Sequence, residues 1–402
     1  MEPYVYICTI NNEVFLYNTL DGNYLKSREE EIYKFFVDLK EDDFGVIAIE
    51  ENTLKNSTPI RSFINKIREL FMGDIIDSSL TQNRPIQLMP ILNLQSDINR
   101  LQKDPSRSVG ENIMIHLHEI VFFMESPGLF LNKFYPTSIQ MEHFVRNEQP
   151  LTVKSIVGAL EGLNTSQHER IVNFVMKDFS TYPDMTNLMD MLNSYKFKVN
   201  LFFHYTSDLR GKWFEYSNEN KIYTICVDFP LKENLLKNII NAFDELNMDK
   251  KYSFQVTSKE ELCIVETIIE KYNIDNYVIV PIYTEINIRF FEEFVYLTEE
   301  DIISKPVSMK EIFIHQSLNI DSFGKIFMTP LGDVYSNVFF DKLGNIDSST
   351  LLELIYEEFK LQTSWFRLRD KAPCINCNLR WLCPTPSVYE ILIKKNNLCH
   401  LF

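Results

Sequence analysis

Glycine is scarce in this chain of 402 residues, 11 in all. No glycine-rich run of the kind that cradles phosphates is present, and G-x-S-x-G, P-loop and zinc-protease patterns are missing as well. Basic residues are outnumbered, 40 Lys and Arg against 56 Asp and Glu, for a net charge of −16. A surface that acidic repels phosphate backbones, so nucleic acid is not an expected partner. A cationic stretch of a peptide is compatible with it. No apolar run approaches the ~20 residues of a membrane span. The opening residues show no positive segment followed by a long apolar core, so the expectation is a cytoplasmic protein with no membrane partner. Cysteine is missing over most of the chain, with none between Cys8 and Cys226. Cys8, Cys226 and Cys263 stand singly in apolar stretches and read as small buried hydrophobes.

What is present is a hydrophobic content of 45 %, enough for a true core. Tyr4–Ile10 and Val14–Tyr17 read as a hairpin around Asn11-Asn12-Glu13. Ser27-Arg28-Glu29-Glu30 has the form of a capping box ahead of a helix with Ile32, Phe35, Phe36 and Leu39 on one face. Gly45–Glu50 reads as a short strand, and Thr58-Pro59 opens a second helix. From about 113 to 284 strands and helices alternate. The strands are expected at Ile113–Phe123, Ile171–Asp178, Val199–Tyr205, Ile222–Asp228, Tyr252–Val256 and Tyr277–Ile282. The helices are expected at Val153–Leu163, Met185–Tyr195, Leu231–Leu246 and Lys259–Tyr272. Such alternation predicts a parallel sheet covered by helices, an open barrel in preference to a flat sheet. A hairpin around Pro330-Leu331-Gly332-Asp333 and a helix over Ser348–Phe359 follow.

Four of the seven cysteines fall in the last 29 residues. Cys374 and Cys377 are separated by two residues, Cys377 and Cys383 by five, and fifteen more intervene before Cys399. Two cysteines with two residues between them aim both sulfurs at one ion from a single loop. Thiolates are soft ligands that suit zinc or the irons of a cluster. A reducing compartment argues against disulfides. Spacing alone leaves zinc and iron–sulfur both open.

The tail closely resembles the SPASM domain, the C-terminal extension of many peptide-modifying radical SAM enzymes. The resemblance rests on Cys374-x2-Cys377-x5-Cys383, on Cys399, and on Gly332-Asp333-Val334-Tyr335 followed by Leu343-Gly344-Asn345-Ile346. The full family pattern holds two auxiliary clusters. Here Asn337 and Ser387 stand where the family has cysteine, so the resemblance implies one [4Fe–4S] cluster on Cys374, Cys377, Cys383 and Cys399, with zinc as the alternative. The middle of the chain resembles the partial (β/α)6 barrel of radical SAM enzymes. The Cys-x3-Cys-x2-Cys loop expected after its first strand is replaced by Met124–Phe134, which has no cysteine. No cleavage of S-adenosylmethionine is then expected. This combination resembles the pseudo-radical-SAM proteins of ribosomal peptide maturation systems in Bacteroidales.

The expected fold is therefore α/β. Residues 1–85 form a small α+β domain with a loose resemblance to peptide-recognition domains, and 86–112 form a linker. Residues 113–310 form a degenerate, cysteine-free radical-SAM-like partial barrel, and 311–402 a SPASM-like metal-binding domain. The expected role is a non-catalytic partner that binds a precursor peptide, an active radical SAM maturase, or both. An electron-transfer or catalytic iron–sulfur protein and a zinc-stabilised binding module are the alternatives. Asp178, His204 and Asp228, at the expected C-terminal ends of strands, are candidates for a residual pocket or for plain turn residues. His116 and His118, two apart on an expected strand, share a face and read as a hydrogen-bonded pair or as partial ligands.

Overall fold

The computed structural model describes residues 1–41, 46–77, 79, 111–125, 150–161, 163, 170–195, 197–209, 220–245 and 248–402. β1 (Val5–Ile10) and β2 (Glu13–Asn18) pair antiparallel, as the hairpin signal predicts. Asn11 and Asn12 between them both take positive φ, 53° and 59°. That is the conformation a two-residue turn needs to match the twist of its strands. A third strand, β3 (Tyr24–Ser27), completes a sheet of order β1-β2-β3. It is too short for alternation to reveal, and it makes Ser27 a strand end in place of the expected helix cap. The Ser27 hydroxyl accepts from the Glu29 amide, at 3.3 Å, and α1 (Glu30–Glu41) starts beyond it. Residues 46–50 form no strand, contrary to expectation; position 45 lies outside the described residues.

α2 (Glu51–Asn56) and α3 (Thr58–Glu69) follow, and Ser57 caps α3 by accepting from the Ile60 amide. Val5, Val14 and Leu16 on one face of the small sheet close a core with Ile32, Phe36, Leu39, Phe63 and Ile67 from the helices. Alternation sends Cys8, Phe15 and Tyr17 to the opposite face, where they meet the far end of the chain.

The large sheet has the order β12-β11-β10-β4-β5-β6-β7-β8-β9. β4 (Glu119–Phe123), β5 (Ile171–Val175), β6 (Lys198–His204), β7 (Lys221–Val227), β8 (Lys250–Val256) and β9 (Tyr277–Pro281) run parallel in chain order. α4 (Val153–Glu161), α5 (Met185–Ser194), α6 (Glu233–Glu245) and α7 (Lys259–Tyr272) are the crossovers. Their buried residues, among them Ile156, Leu188, Leu236 and Val265, join one core with Ile120, Phe174, Phe203 and Phe254. These four helices thus cover one face. The other face carries Val121, Phe123, Val175, Phe202 and Cys226 with Phe327. Burial of each such side chain contributes roughly 1.5–3 kcal/mol.

α7 follows its sequence signals closely: Ser258 accepts from the Glu261 amide, while Glu261 reaches the Thr257 amide at 2.6 Å. Cys263, expected to be buried, is exposed, since α7 turns Val265 and Ile268 to the core instead.

β4 is shorter than expected. Residues Glu111–His116 form a 3-10 helix, so His116 and His118 precede the strand and do not share a strand face. The cause is Gly324, whose carbonyl accepts from the amides of both His118 and Glu119, at 2.8 and 3.0 Å. Gly324 introduces β10 (Lys325–Met328), which pairs parallel with β4. β11 (Asp333–Tyr335) and β12 (Gly344–Asn345) continue antiparallel. The sheet therefore runs across the division expected at residue 311. α8 (Ile288–Phe294), α9 (Glu299–Ile303) and α10 (Met309–His315) bridge the two parts. α11 (Leu351–Leu361) and α12 (Val388–Ile393) belong to the tail. No helix among the described residues is long and apolar enough to cross a membrane. Most of the linker expected at 86–112 lies outside the described residues.

Candidate metal centre

Cys374 opens a single 3-10 turn, Cys374–Asn376, and its carbonyl accepts from the Cys377 amide at 2.9 Å. A second turn brings Cys383 back, its amide donating to Leu379 O at 2.9 Å. Cys399 arrives from the chain end, held by a parallel bridge to Leu297; the Leu297 amide donates to Leu398 O and the His400 amide to Leu297 O. All four cysteines line one small cavity of about 10 Å³, with Arg369, Leu379 and Leu398 among its other walls. Cys374 and Cys383 are buried, and Cys377 and Cys399 half-buried.

Two arginines line this cavity, Arg369 and Arg380, and Arg369 is the one held in a buried ion pair. Its Nη1 donates to Glu390 Oε1 at 2.8 Å and lies 3.6 Å from Cys374 Sγ, and its Nε donates to Pro384 O. The pair is almost fully buried, with side-chain exposures of 7 % for Arg369 and 1 % for Glu390. Burial works against the Arg369 charge but is outweighed by Cys383, Glu390 and Cys374, which hold the guanidinium above its ordinary value. Burial pushes the Glu390 carboxyl up, with Arg369 opposing. Glu390 also accepts from the Ser387 amide and so caps α12. The Cys374 thiol donates to Asn396 O at 3.3 Å, and Asn397 Nδ2 donates to Cys399 Sγ at 3.4 Å.

Burial pushes the Cys377 thiol up to about 11 and Cys383 up to about 12; Cys374 is raised for the same reason. These thiols are protonated at neutral pH unless a metal displaces their protons. Among the described residues, no group of three or more His, Cys, Asp or Glu is gathered closely enough to hold a metal ion. The donor chemistry nonetheless fits one: four soft donors share one cavity, with a buried guanidinium to offset their negative charge.

The other sequence candidates separate. His204 Nε2 and Asp228 Oδ1, at the ends of β6 and β7, are 2.9 Å apart, and His204 Nδ1 lies 2.6 Å from Thr206 Oγ1. Asp178 does not join them. Its carboxylate accepts from the amides of Ser180 and Asp208, at 2.9 and 3.1 Å, and ties two loops together. His116 packs on Phe323 and Phe359, and His118 on Phe323. Asn337 and Ser387, where the resemblance leads one to expect cysteine, serve local turns: Asn337 Oδ1 accepts from the Phe339 amide, and Ser387 precedes α12.

Three residues escaped the sequence reading. Glu125, just past β4, accepts from the Lys177 amide at 2.5 Å, and burial pushes its carboxyl up. A carboxylate directly after an apolar strand was its only signal. Arg369 and Glu390 gave none, since their partnership spans 21 residues and forms only in the fold.

No family model matches the chain, and no curated protein matches it in sequence. Among solved structures it is similar to SuiB of Streptococcus suis bound to S-adenosylmethionine. That match has 14 % identity and a TM-score of 0.51, over 99 % of this chain and 97 % of the other. It is similar also to SuiB bound to its precursor peptide SuiA, at 13 % identity and a TM-score of 0.51 over the same shares. At such identity the likeness speaks to fold alone: an α/β chain with a large mixed sheet, of the radical-SAM type.

Proposed function

We propose that this chain is a non-catalytic partner in the maturation of a ribosomally synthesised peptide. It would bind the precursor peptide, an active radical SAM enzyme, or both. The observation that carries the reading is the absence of cysteine between Cys8 and Cys226 in a chain with a radical-SAM-like fold. A radical SAM cluster needs three thiolates in one loop after the first barrel strand, and here no thiol precedes β7 on the large sheet. SuiB, which has a similar fold, has been solved with its precursor peptide, and that supports a peptide as the partner here. The degenerate barrel and the SPASM-like tail are parts of the same proposal.

The small sheet suits a peptide-binding role for a physical reason. Helices cover one of its faces and the C-terminal segment the other, and β1 and β3 are its two edges. An extended peptide would join such a sheet as an added strand, through main-chain hydrogen bonds. On this reading Cys374, Cys377, Cys383 and Cys399 hold a [4Fe–4S] cluster, or zinc, whose contribution is to tie the tail together. Arg369 balances the charge and Glu390 keeps Arg369 in place.

The test is titration of the full chain with candidate precursor peptides and with an active radical SAM maturase, any encoded beside its gene being tried first, followed by fluorescence anisotropy or calorimetry. Saturable binding of either supports the proposal. No binding of either overturns it. Iron, sulfide and zinc measured per chain after purification without oxygen decide the metal. Four irons with a broad band near ~400 nm that bleaches on reduction would identify a cluster and leave an electron-transfer role open, whereas one zinc and no colour would make the site structural.

A further inference from the structure

The loop that carries Cys377 also grips the N-terminal hairpin. Asn376, one residue before Cys377, accepts through its carbonyl from Asn11 Nδ2 at 3.1 Å. Asn378, one residue after, donates from Nδ2 to Glu13 Oε2 at 3.0 Å. Asn11 is the first residue of the turn between β1 and β2 and Glu13 the residue just after it, so the hairpin tip is held from both sides of one cysteine. Beneath these bonds lies an apolar contact. Cys8, Phe15 and Tyr17 from the small sheet pack with Leu379, Leu382 and Cys383 from the cysteine segment and with Ile302 and Ile312 from α9 and α10. The Tyr17 hydroxyl accepts from the Val307 amide at 2.8 Å, and Lys26 pairs with Glu299.

Resting on the metal reading above, we infer that metal loading at Cys374, Cys377, Cys383 and Cys399 fastens the N-terminal domain to the rest of the molecule. The argument is geometric. The cysteine segment has little regular structure of its own: one 3-10 turn between Cys374 and Cys383, with no strand or longer helix. Its shape depends on what ties the four sulfurs. The two hydrogen bonds to the hairpin come from the residues immediately beside Cys377, and two of the three residues that the cysteine segment places beneath the hairpin, Leu379 and Leu382, lie between Cys377 and Cys383. A segment freed of metal loses the conformation that presents Asn376 O, Asn378 Nδ2 and the two leucines together. The domain that would receive the peptide then loses its seat, and peptide binding becomes sensitive to metal supply.

The cysteines themselves report the outcome in the full-length protein, by mass-spectrometric measurement of alkylation rates. Cys8 lies buried in the contact, Cys226 is buried beneath the large sheet, and Cys263 is exposed on α7. In loaded protein Cys263 alone should react quickly. Chelation should release the four metal-site thiols and speed Cys8 by about tenfold or more, the scale of losing two hydrogen bonds, while Cys226 stays protected and certifies an intact sheet. Asn378→Ala should speed Cys8 in the same direction with metal content unchanged. If chelation exposes the four thiols and leaves Cys8 protected, the inference is overturned and the metal reading stands. If the four thiols react at one rate with and without added metal, the metal reading fails and the inference with it.

Discussion

Arg369 shows how much of the candidate centre hangs on a single side chain. It joins Glu390, the Pro384 carbonyl and the edge of Cys374 from a buried position. Replacing it with alanine leaves the Glu390 carboxylate without its cation. Breaking a buried pair in this way costs about 3–5 kcal/mol. Arg369→Ala is therefore expected to lower the denaturation midpoint sharply and to lose metal during purification, as read by metal content per chain. Arg369→Lys should recover part of the charge balance and little of the geometry, because a single ammonium nitrogen cannot reach the separated partners that the Nε and Nη1 of the guanidinium fork reach together.

The thiols give a pH dependence of definite sign. Burial raises Cys377 to about 11 and Cys383 to about 12, above the ~8.5 of a thiol in the unfolded chain. Between those values the unfolded state releases protons that the metal-free fold retains. Stability from these groups is complete below about pH 8.5 and is lost as pH climbs through the raised values. Metal-free protein should therefore melt at falling temperature from about pH 8.5 upward. Loaded protein, with thiolates already formed, should instead lose metal as the pH is lowered. Melting curves of both forms across that range check the sign.

At the scale of elements, the join between β10 and β4 rests on Gly324. Its φ is +75°, and a Cβ there would lie 2.4 Å from the His116 carbonyl and 2.5 Å from the His118 ring. Its own carbonyl holds the two amides that open β4. Gly324→Ala should cost about 1–3 kcal/mol from the left-handed backbone alone, with the clash added. Denaturant titration should show the loss in midpoint.

The same join explains why His116 and His118 were misread. Alternation and apolar content run on from Ile113, but the ladder begins only where Gly324, more than two hundred residues away, supplies an acceptor. α7 is the contrary case. Its serine cap, acidic first turn and apolar stripe all lie within the helix and its neighbours, so Lys259–Tyr272 was legible to the residue. β3 lacked both kinds of signal, being four residues long and only partly buried.

Taken whole, the molecule couples its two ends. The four-cysteine tail meets the first hairpin, and the large sheet spans the chain between them. If metal at free concentrations a thousandfold above its dissociation constant binds only the folded form, it stabilises that form by about 4 kcal/mol. Stripping the metal should thus lower the denaturation midpoint of the entire chain, a shift that calorimetry would detect. Given S-adenosylmethionine and a strong reductant, the protein should form no 5′-deoxyadenosine by chromatography. Catalytic amounts of that product would end the non-catalytic reading.

The sequence by itself determined the order and approximate places of the strands and helices of the parallel region, the start of β4 excepted, because period and capping are local properties written into neighbouring residues. It also determined the cluster of four cysteines and the lack of thiols between Cys8 and Cys226, which are matters of composition and spacing. Only the tertiary structure decided that Arg369 and Glu390 share the cysteine cavity, and that His204 pairs with Asp228 while Asp178 does not. It alone decided that β10 extends the large sheet and that Asn11 and Glu13 rest on the loop around Cys377. Each of these is a contact between residues distant in the chain. Their partners are selected by packing of whole elements, and no periodicity in a single stretch encodes that.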